Sequence, residues 1–245
     1  MYEGLKRIAK GLLPKGLLQK YEVQFRYAVA LFYSGNTFAC NICGKKNRKF
    51  VLLTNGERLC PFCGSLPRSR RLYHTLAPKL LPNYLRVLHF SPSKSLDEKL
   101  RAHFTESYTT SDYIGEFKAD KQLDITCLSE PDNSYDLIIC YHILEHILED
   151  SKAMRELFRV LAAGGKCFIQ TPYKAGDTFE DYTITSAVER KKHFGQEDHV
   201  RVYSVQGLKK RLQAVGFAVE LLTFTESPQN YFGFKENESI LVASK

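Results

Sequence analysis

The stretch that decides the fold runs from residue 135 to residue 165 and reads YDLIICYHILEHILEDSKAMRELFRVLAAGG. Its first six residues are apolar except for Asp136 and have the length of a buried strand. Apolar residues then recur at i, i+3, i+4 and i+7, as on one face of a helix: Met154, Leu157, Phe158 and Leu161. Asp150 or Ser151 can cap this helix, and the glycine pair at its end stops it. Because a second apolar run follows at Lys166 to Gln170, the stretch predicts a strand–helix–strand unit.

The same alternation of short apolar runs and amphipathic helical windows continues from residue 86 onward. This is the pattern of a parallel sheet wrapped by helices, so an α/β fold is predicted. A later helix is predicted between a cap at Ser204 and a stop at Gly216. Four further runs fit as strands: Arg86 to Phe90, Ser107 to Ser111, Phe217 to Thr223 and Ser239 to Ala243.

Four of the seven cysteines form two C-x-x-C pairs separated by sixteen residues: Cys40, Cys43, Cys60 and Cys63. This spacing is typical of a structural zinc site, in which four thiolates surround one Zn²⁺ tetrahedrally. Gly44 and Gly64 follow the pairs and can take the left-handed turn that aims backbone N–H groups at the thiolates. Paired disulfides are the alternative, against which the odd number of cysteines and the lack of a recognisable signal peptide argue.

Basic residues are concentrated in the N-terminal part of the chain. The net charge is +8, and residues 1–71 hold 14 Lys and Arg against 3 Asp and Glu, which makes +11 and leaves −3 for the rest. Such an asymmetry suits nucleic acid, anionic lipid or an acidic substrate, and equally a solvated face. Residues 4–13 predict a basic amphipathic helix that docks onto the protein itself or contacts an anionic membrane surface. No apolar run is long enough to span a membrane, and a cytoplasmic location is expected.

The motifs divide the chain into four predicted parts: amphipathic helices in 1–36, a zinc ribbon in 37–67, a bridging helix in 68–85 and the α/β domain in 86–245. The bridging helix, near Ser69 to Leu80, starts with Arg68, Arg70 and Arg71. Their charges oppose the helix dipole, so packing or binding must justify them. Residues 173–203 exceed an ordinary strand-to-helix connection and leave from a strand end, which predicts a lid over a ligand.

Ligands of open parallel sheets bind beyond the carboxyl ends of the strands, so polar residues there are candidates for a site. His89, Ser91 and Ser93 lie in a turn-rich stretch at the end of the first strand. Asp112 follows the second strand about twenty residues on, where a carboxylate can accept both ribose hydroxyls of a nucleoside cofactor. Asp124 precedes the next strand and can take the exocyclic amine of an adenine. Each acid can equally be a turn former or a helix cap.

Taken together, these stretches resemble the class I S-adenosylmethionine-dependent methyltransferases over residues 86 to about 226. The residues that carry the resemblance are Tyr135 to His146 and the helix and glycine turn of Glu156 to Gly165. The resemblance implies a seven-stranded Rossmann-like sheet with a small N-terminal helical and zinc-ribbon module. It also implies that the final strand, Ser239 to Ala243, is antiparallel.

The resemblance further implies S-adenosylmethionine as the cofactor and gives roles to particular residues. Asp112 would bind the cofactor ribose. Asp124 and Ile125 would flank its adenine. Tyr141 and His142 would line the methyl-transfer cleft.

The first loop departs from the family pattern, because G-x-G-x-G is usual there and this chain has Ser91-Pro92-Ser93-Lys94-Ser95. The methionine moiety must therefore be held differently, and we expect His89, Ser91 and Ser93 to contact the cofactor. A subgroup of methyltransferase-like sequences resembles this chain throughout, with two C-x-x-C pairs, a first strand without glycines and a late segment matching Phe194 to Arg201. The missing glycines are then a trait of that subgroup.

The predicted function is methyl transfer to an oxygen or nitrogen of a small-molecule or sugar acceptor. A hydroxyl acceptor needs a base, for which His199 is the first candidate and His142 the second. Asp198 can orient His199, and Arg201 and Tyr203 can bind the acceptor. Each histidine can also be a structural residue.

Three other interpretations stay open. A zinc ribbon before a methyltransferase domain also fits an RNA base methyltransferase, although nucleic acid is not favoured because few aromatic residues accompany the basic ones. A methyltransferase fold with an altered cofactor loop can serve as a non-catalytic scaffold. Residues 142–146 match H-x-x-E-H, an inverted zinc-peptidase signature, but a strand runs directly into His142, whereas a peptidase places both histidines in one helix.

Overall fold

The computed structural model describes residues 26–27, 30–77, 86–104, 107–115, 118–225 and 229–245. These residues form two compact units. The first draws on the described residues of 1–82, 93–103 and 225–237, and the second on those of 83–92, 104–224 and 238–245. The predicted helix of residues 4–13, with its membrane contact, lies outside the described residues, as does most of the remaining helical part predicted within 1–36. No helix within the described ranges is both long and apolar enough to cross a membrane.

Among its described residues, the first unit contains two small antiparallel strand pairs, two helices whose bounds are defined, and a few further helical residues between 26 and 31. The strands are β1 (Ser34–Ala39) with β2 (Lys46–Asn47), and β3 (Val51–Leu52) with β4 (Arg58–Leu59). The helices are α1 (Pro67–Leu76), which starts with the proline favoured in a first helical turn, and α2 (Lys94–Phe104). Around the strand pairs, Tyr33 and Val51 form an apolar cluster supported by Leu53 and Leu59. Other buried apolar side chains of this unit, such as Phe50, Phe62 and Leu72, add to its core.

The basic residues at the start of α1 are explained by packing. The side chain of Arg70 is fully buried and donates at 2.6 to 2.8 Å to four backbone carbonyls, those of Arg58, Ser65, Phe232 and Gly233. Its guanidinium also lies 4.2 Å from the ring centre of Phe50. Arg71 is 9% exposed and stacks 4.0 Å over Phe234. Cation–π contact and hydrogen bonding therefore offset the unfavourable helix dipole.

The second unit is built on a six-stranded sheet in the order β11-β12-β8-β7-β5-β6. The strands of this unit are β5 (Val87–Phe90), β6 (Tyr108–Ser111), β7 (Tyr135–Tyr141), β8 (Leu161–Gln170), β9 (Phe179–Glu180), β10 (Arg201–Val202), β11 (Ala218–Phe224) and β12 (Glu238–Ser244). Strands β6, β5, β7 and β8 are parallel, and β12 is antiparallel to both of its neighbours. The predicted α/β fold and the antiparallel last strand are confirmed.

The strand count differs from the seven that the resemblance implies, because the described residues hold six in this sheet. Next to β6 there is a single parallel bridge, made by Lys121 with the last residue of β6. Local hydrogen bonds compete with a longer ladder there. Asp120 accepts from the backbone N–H and hydroxyl of Thr110 at 2.8 and 2.9 Å, and Asp124 accepts from those of Thr126 at 2.8 and 2.7 Å.

Three helices accompany the sheet: α3 (Asp150–Val160), α4 (Ala187–Phe194) and α5 (Val205–Val215). Helix α5 has the predicted ends, since the Ser204 hydroxyl accepts from the third backbone N–H and Gly216 closes the helix at φ 117°. Fully buried residues of α3, α5 and β7 share one core cluster, among them Ile138, Leu157 and Leu212.

Strand β8 begins earlier than predicted. Leu161, expected on the apolar face of the helix, instead opens β8, and the glycine pair lies inside the strand. The pairing with β7 shifts register there, so these residues form an irregular insertion. A Cβ added to Gly165 would lie 2.9 Å from the carbonyl oxygen of Ala162 and 3.0 Å from that of Asp136. The glycine is needed for this close backbone approach and does not end the helix.

Candidate active site and candidate metal centres

Three neighbouring parallel strands place the predicted polar residues at one edge of the sheet. Strands β6, β5 and β7 lie side by side. The residue directly after each strand end is Asp112 for β6, Ser91 for β5 and His142 for β7. Because the carboxyl ends of parallel strands share an edge, the sheet itself brings these residues to the usual ligand position of an α/β fold.

Ser91 and Asp112 are joined by a hydrogen bond across this edge. The Ser91 hydroxyl donates to Asp112 Oδ1 at 2.7 Å, and Asp112 is only 6% exposed. Ser91 has φ 44°, in the left-handed region that favours glycine. The chain thus keeps a glycine-type backbone shape without the glycine, and it uses the serine hydroxyl to orient the carboxylate.

The other predicted cofactor residues have structural surroundings. His89 is 2% exposed with Nδ1 2.8 Å from the Tyr108 hydroxyl, and burial lowers its pKa to about 3. Ile125 is 4% exposed and belongs to the core cluster. Asp124 holds the turn described above, which is the alternative considered for it. Ser93 belongs to the first unit. Cofactor contact by these four residues stays a prediction.

The chain leaves β7 by a sharp turn. Tyr141 is 9% exposed, and His142 has φ 56° with its backbone N–H donating to the Gln170 carbonyl at 2.8 Å. A short 3₁₀ helix, Leu144–His146, follows. The H-x-x-E-H motif therefore spans a strand end and a 3₁₀ turn, and it does not have the single long helix that the peptidase signature requires.

This turn meets the segment around His199. The backbone N–H of Val200 donates to the Glu145 carbonyl at 2.9 Å, which ties the two segments together. His146 Nδ1 lies 3.0 Å from Asp198 Oδ2, and the rings of His146 and His199 are 4.6 Å apart at 88°. The structure thus gathers the predicted His199 and Asp198 with Glu145 and His146 of the H-x-x-E-H motif.

His142 borders this group on one side. Its Nδ1 is 3.3 Å from Glu145 Oε1, and its side chain is 23% exposed. His199 is 2% exposed. Of the two predicted bases, His142 therefore has the more exposed side chain, although its Nε2 atom is buried and has no hydrogen-bond partner among the described residues.

Arg201 faces inward. It is fully buried and pairs with Glu180 across the β9–β10 ribbon, with Nε donating to Oε2 at 2.9 Å. Its other nitrogens donate to backbone carbonyls in the 144–148 turn, including that of Leu148 at 2.9 Å and that of Ile147. With its donors occupied this way, Arg201 positions the turn that carries Glu145. The predicted contact with an acceptor is not what this geometry favours.

Tyr203 is part of the same buried network. Its hydroxyl donates to Asp150 Oδ2 at 2.6 Å, and Arg211 binds Asp150 and Glu180, each at 2.6 Å. Burial raises the pKa of Tyr203, and the adjacent Asp150 raises it further. Burial alone would raise the pKa of Glu180, but hydrogen bonds from Arg211 and Arg201 lower it. Tyr203 therefore also faces the interior, and its predicted role in acceptor binding has no direct geometric support.

The four cysteines of the first unit form a second group. Sulfur atoms of Cys40 and Cys63 are 3.7 Å apart, and those of Cys43 and Cys60 are 3.9 Å apart. Four sulfurs around a tetrahedral Zn²⁺ at about 2.3 Å would be separated by about 3.8 Å. The four cysteines are free thiols rather than disulfides. The spacing and the donor set therefore fit one Zn²⁺.

The turns around these cysteines repeat the same geometry. Gly44 and Gly64 have φ 72° and 75°, as predicted, and their backbone N–H groups donate to the carbonyls of Cys40 and Cys60. The Ser65 hydroxyl lies 3.2 Å from Cys40 Sγ, so it adds a polar contact to the sulfur cluster.

Comparison with known proteins gives the same fold. A family model described as a methyltransferase domain matches residues 68–222. No curated protein matches the sequence. A SAM-dependent methyltransferase from Archaeoglobus fulgidus is 16% identical with a TM-score of 0.50, covering 72% of this chain and 94% of its own. One from Mesorhizobium loti is 14% identical with a TM-score of 0.50, covering 71% and 97%.

A third similar structure is phosphoethanolamine N-methyltransferase 2 of Haemonchus contortus, at 14% identity and a TM-score of 0.50, covering 71% of this chain and 53% of its own. Identities this low establish the fold, whereas the family match spans more than half of the chain. The chain belongs to this family of methyltransferase domains and is a methyltransferase, which confirms the predicted resemblance to the class I S-adenosylmethionine-dependent methyltransferases.

Proposed function

We propose that the methyl donor is S-adenosylmethionine, bound at the edge where β5, β6 and β7 end. The observation that carries this proposal is the Ser91–Asp112 pair, because it holds a nearly buried carboxylate at the end of the second strand of a methyltransferase sheet. A carboxylate there can accept both ribose hydroxyls of the donor. When bound, the donor supplies an electrophilic methyl group on a sulfonium, and the protein chiefly positions the reactants.

The proposed acceptor is an oxygen or nitrogen of a small molecule or sugar. Three arginines of the first unit support this over RNA, because their guanidinium groups make contacts within the protein. Arg70 and Arg71 are buried, and Arg68 pairs with Glu57 at 3.2 Å. These side chains are not arranged as a stripe that follows a phosphate backbone.

For a hydroxyl acceptor, we propose His142 as the base. It would take the proton of the acceptor hydroxyl, and the bound donor would supply the methyl group to the acceptor oxygen. Glu145 Oε1 lies 3.3 Å from His142 Nδ1, within ion-pair distance of the imidazole ring. A nitrogen acceptor that attacks as the free amine needs no such base.

Residues 173–203 are proposed to close over the acceptor. The segment exposes apolar side chains that a bound molecule would cover, namely Phe179 at 38%, Tyr182 at 61% and Val188 at 76%. It also carries His199 and Asp198 beside the 144–148 turn. We also propose that the chain divides into the predicted parts 1–36, 37–67, 68–85 and 86–245. The four cysteines are proposed to bind one Zn²⁺.

Titration of the purified protein with S-adenosylhomocysteine tests this function. Wild type should bind one equivalent in calorimetry, and Asp112→Asn should bind at least about tenfold more weakly. Asp136→Asn is a matched control, because Asp136 pairs with Arg86 at the surface. Absence of binding by wild type at millimolar ligand would support the non-catalytic scaffold. With binding established, labelled-methyl transfer to pooled small molecules and to structured RNA identifies the acceptor class.

A further inference from the structure

Glu145 is a buried carboxylate whose oxygens accept no hydrogen bond from the described residues. It is 1% exposed, and no described residue donates a hydrogen bond to either carboxylate oxygen. His142 lies within ion-pair distance of Oε1 only. Burying an ionised carboxylate without hydrogen bonds is costly, so a native protein normally supplies a donor, a water or a cation.

His199 is a second buried side chain in this group, and one of its ring nitrogens lacks a hydrogen-bond partner from the described part of the chain. It is 2% exposed, and Nε2 has no hydrogen-bond partner among the described residues. Its Nδ1 lies 3.1 Å from the carbonyl oxygen of Phe194, which can only accept, so Nδ1 carries the proton. In the neutral imidazole, Nε2 is then the nitrogen that offers a lone pair to a ligand.

His146 completes the group. Its Nδ1 lies 3.0 Å from Asp198 Oδ2, which leaves Nε2 as its free nitrogen. One ligand atom from each of Glu145, His146 and His199 lies within 4.8 Å of the others. In metal sites, a ligating histidine typically donates its other N–H to a carboxylate or a backbone carbonyl. Asp198 and the Phe194 carbonyl provide these two outer partners.

We propose that Glu145, His146 and His199 bind a divalent transition-metal ion. Two imidazoles and one carboxylate suit Mn²⁺, Fe²⁺, Co²⁺ or Zn²⁺ better than Ca²⁺ or Mg²⁺, which prefer oxygen ligands. The 4.8 Å limit exceeds the separation of about 3 Å between adjacent ligands of a bound ion, so binding draws the side chains together.

The site differs from the cysteine cluster in its openness. Three protein ligands leave coordination positions free, as in a site that binds water or a substrate oxygen, whereas four thiolates close a structural site. Solvent reaches the group, since His146 is 29% and Asp198 62% exposed at the side chain. The proposal concerns metal binding alone and does not depend on the donor or the acceptor.

Metal uptake by the full chain tests the proposal. The protein is first loaded with one equivalent of Zn²⁺, which the thiolates retain against Mn²⁺. Mn²⁺ is then added, and bound ion is measured by loss of the free-Mn²⁺ paramagnetic resonance signal and by calorimetry, with a parallel titration of further Zn²⁺. Wild type should take up one additional ion per chain, and Glu145→Gln and His199→Ala should each weaken this uptake at least about tenfold.

Two controls separate ligand loss from unfolding. Asp198→Asn changes an exposed side chain, so the fold should persist while affinity falls about 10- to 100-fold, as for loss of an outer partner. His193→Ala removes a histidine that pairs with Glu189 outside the group and should leave uptake unchanged. Failure of folded wild type to bind either ion beyond the first zinc would overturn the proposal. Equal uptake by folded Glu145→Gln would do the same.

Discussion

Replacing Arg201 by alanine should destabilise the second unit strongly. The fully buried guanidinium satisfies Glu180 and carbonyls of the 144–148 turn, so its removal leaves a buried carboxylate and several carbonyls without a donor. Breaking a buried ion pair from one side costs about 3–5 kcal/mol. In a domain of this size, each kcal/mol lowers the melting temperature by about 2–4 °C, so the expected drop is about 6–20 °C.

The assay is thermal and urea unfolding of wild type and variants, followed by circular dichroism. Lys191→Ala is the control, because that side chain is 65% exposed and pairs with Glu197 at the surface, where such pairs contribute about 0–1 kcal/mol. Arg201→Lys should fall between, since an ammonium keeps the charge but cannot reach carbonyls and carboxylate together.

The outcome separates two roles for this residue. If Arg201 binds the acceptor, as its sequence position suggested, Arg201→Ala keeps wild-type stability and loses methyl transfer. Unfolding within about 0.5 kcal/mol of wild type, the range of an ordinary surface substitution, would refute the buried-network reasoning.

The remaining predictions address the two candidate ligand sites, one buried histidine and the basic N-terminal part. Asp112→Asn should leave the melting temperature of the free protein nearly unchanged but remove most of the stabilisation by S-adenosylhomocysteine in a thermal-shift assay. Cys60→Ser should lower the zinc content by one atom per chain in elemental analysis, and four oxidised cysteines in wild type would contradict the cysteine site. Because the folded pKa of His89 is about 3, below about 6.5 in the unfolded chain, stability should fall as pH drops through this interval. His89→Asn should flatten that pH dependence of the unfolding temperature. Residues 1–71 should give only weak, salt-sensitive RNA binding, and a salt-resistant complex in a filter-binding assay would contradict this.

Features set by local chemistry were predictable from the sequence. The ends of α5 follow from Ser204 and Gly216, because a cap and a left-handed stop depend on adjacent residues only. The left-handed glycines after each cysteine pair follow in the same way. By contrast, helical periodicity placed Leu161 in a helix, whereas pairing with β7 draws it into β8. The resemblance also implied a seventh strand, but next to β6 there is only a single bridge, where local hydrogen bonds such as that from Thr110 to Asp120 form instead.

Much of the candidate site depends on contacts that no local pattern shows. Arg201 donates hydrogen bonds to carbonyls more than fifty residues earlier in the chain. Because the sequence does not show these distant partners, the positive charge of Arg201 suggested a contact with a ligand. The H-x-x-E-H motif drew attention to Glu145 and His146 but suggested a peptidase helix. The hydrogen bond from Val200 to the Glu145 carbonyl and the ring contact between His146 and His199 show that His199 joins them.

The composition of the first unit has a consequence for biosynthesis. Arg70 precedes its acceptor Phe232 by 162 residues, and a ribosome adding 5–20 residues per second needs roughly 8–30 s to make that interval. Gly233, whose position leaves no room for a side chain beside Phe50, is made just afterwards. During that time the nascent cysteine module has its thiolates but lacks two acceptors for its buried guanidinium. A fragment of the N-terminal residues alone would lack the carbonyls of Phe232 and Gly233 that accept from Arg70. A shortened protein made to study this unit should therefore include residues 225–237.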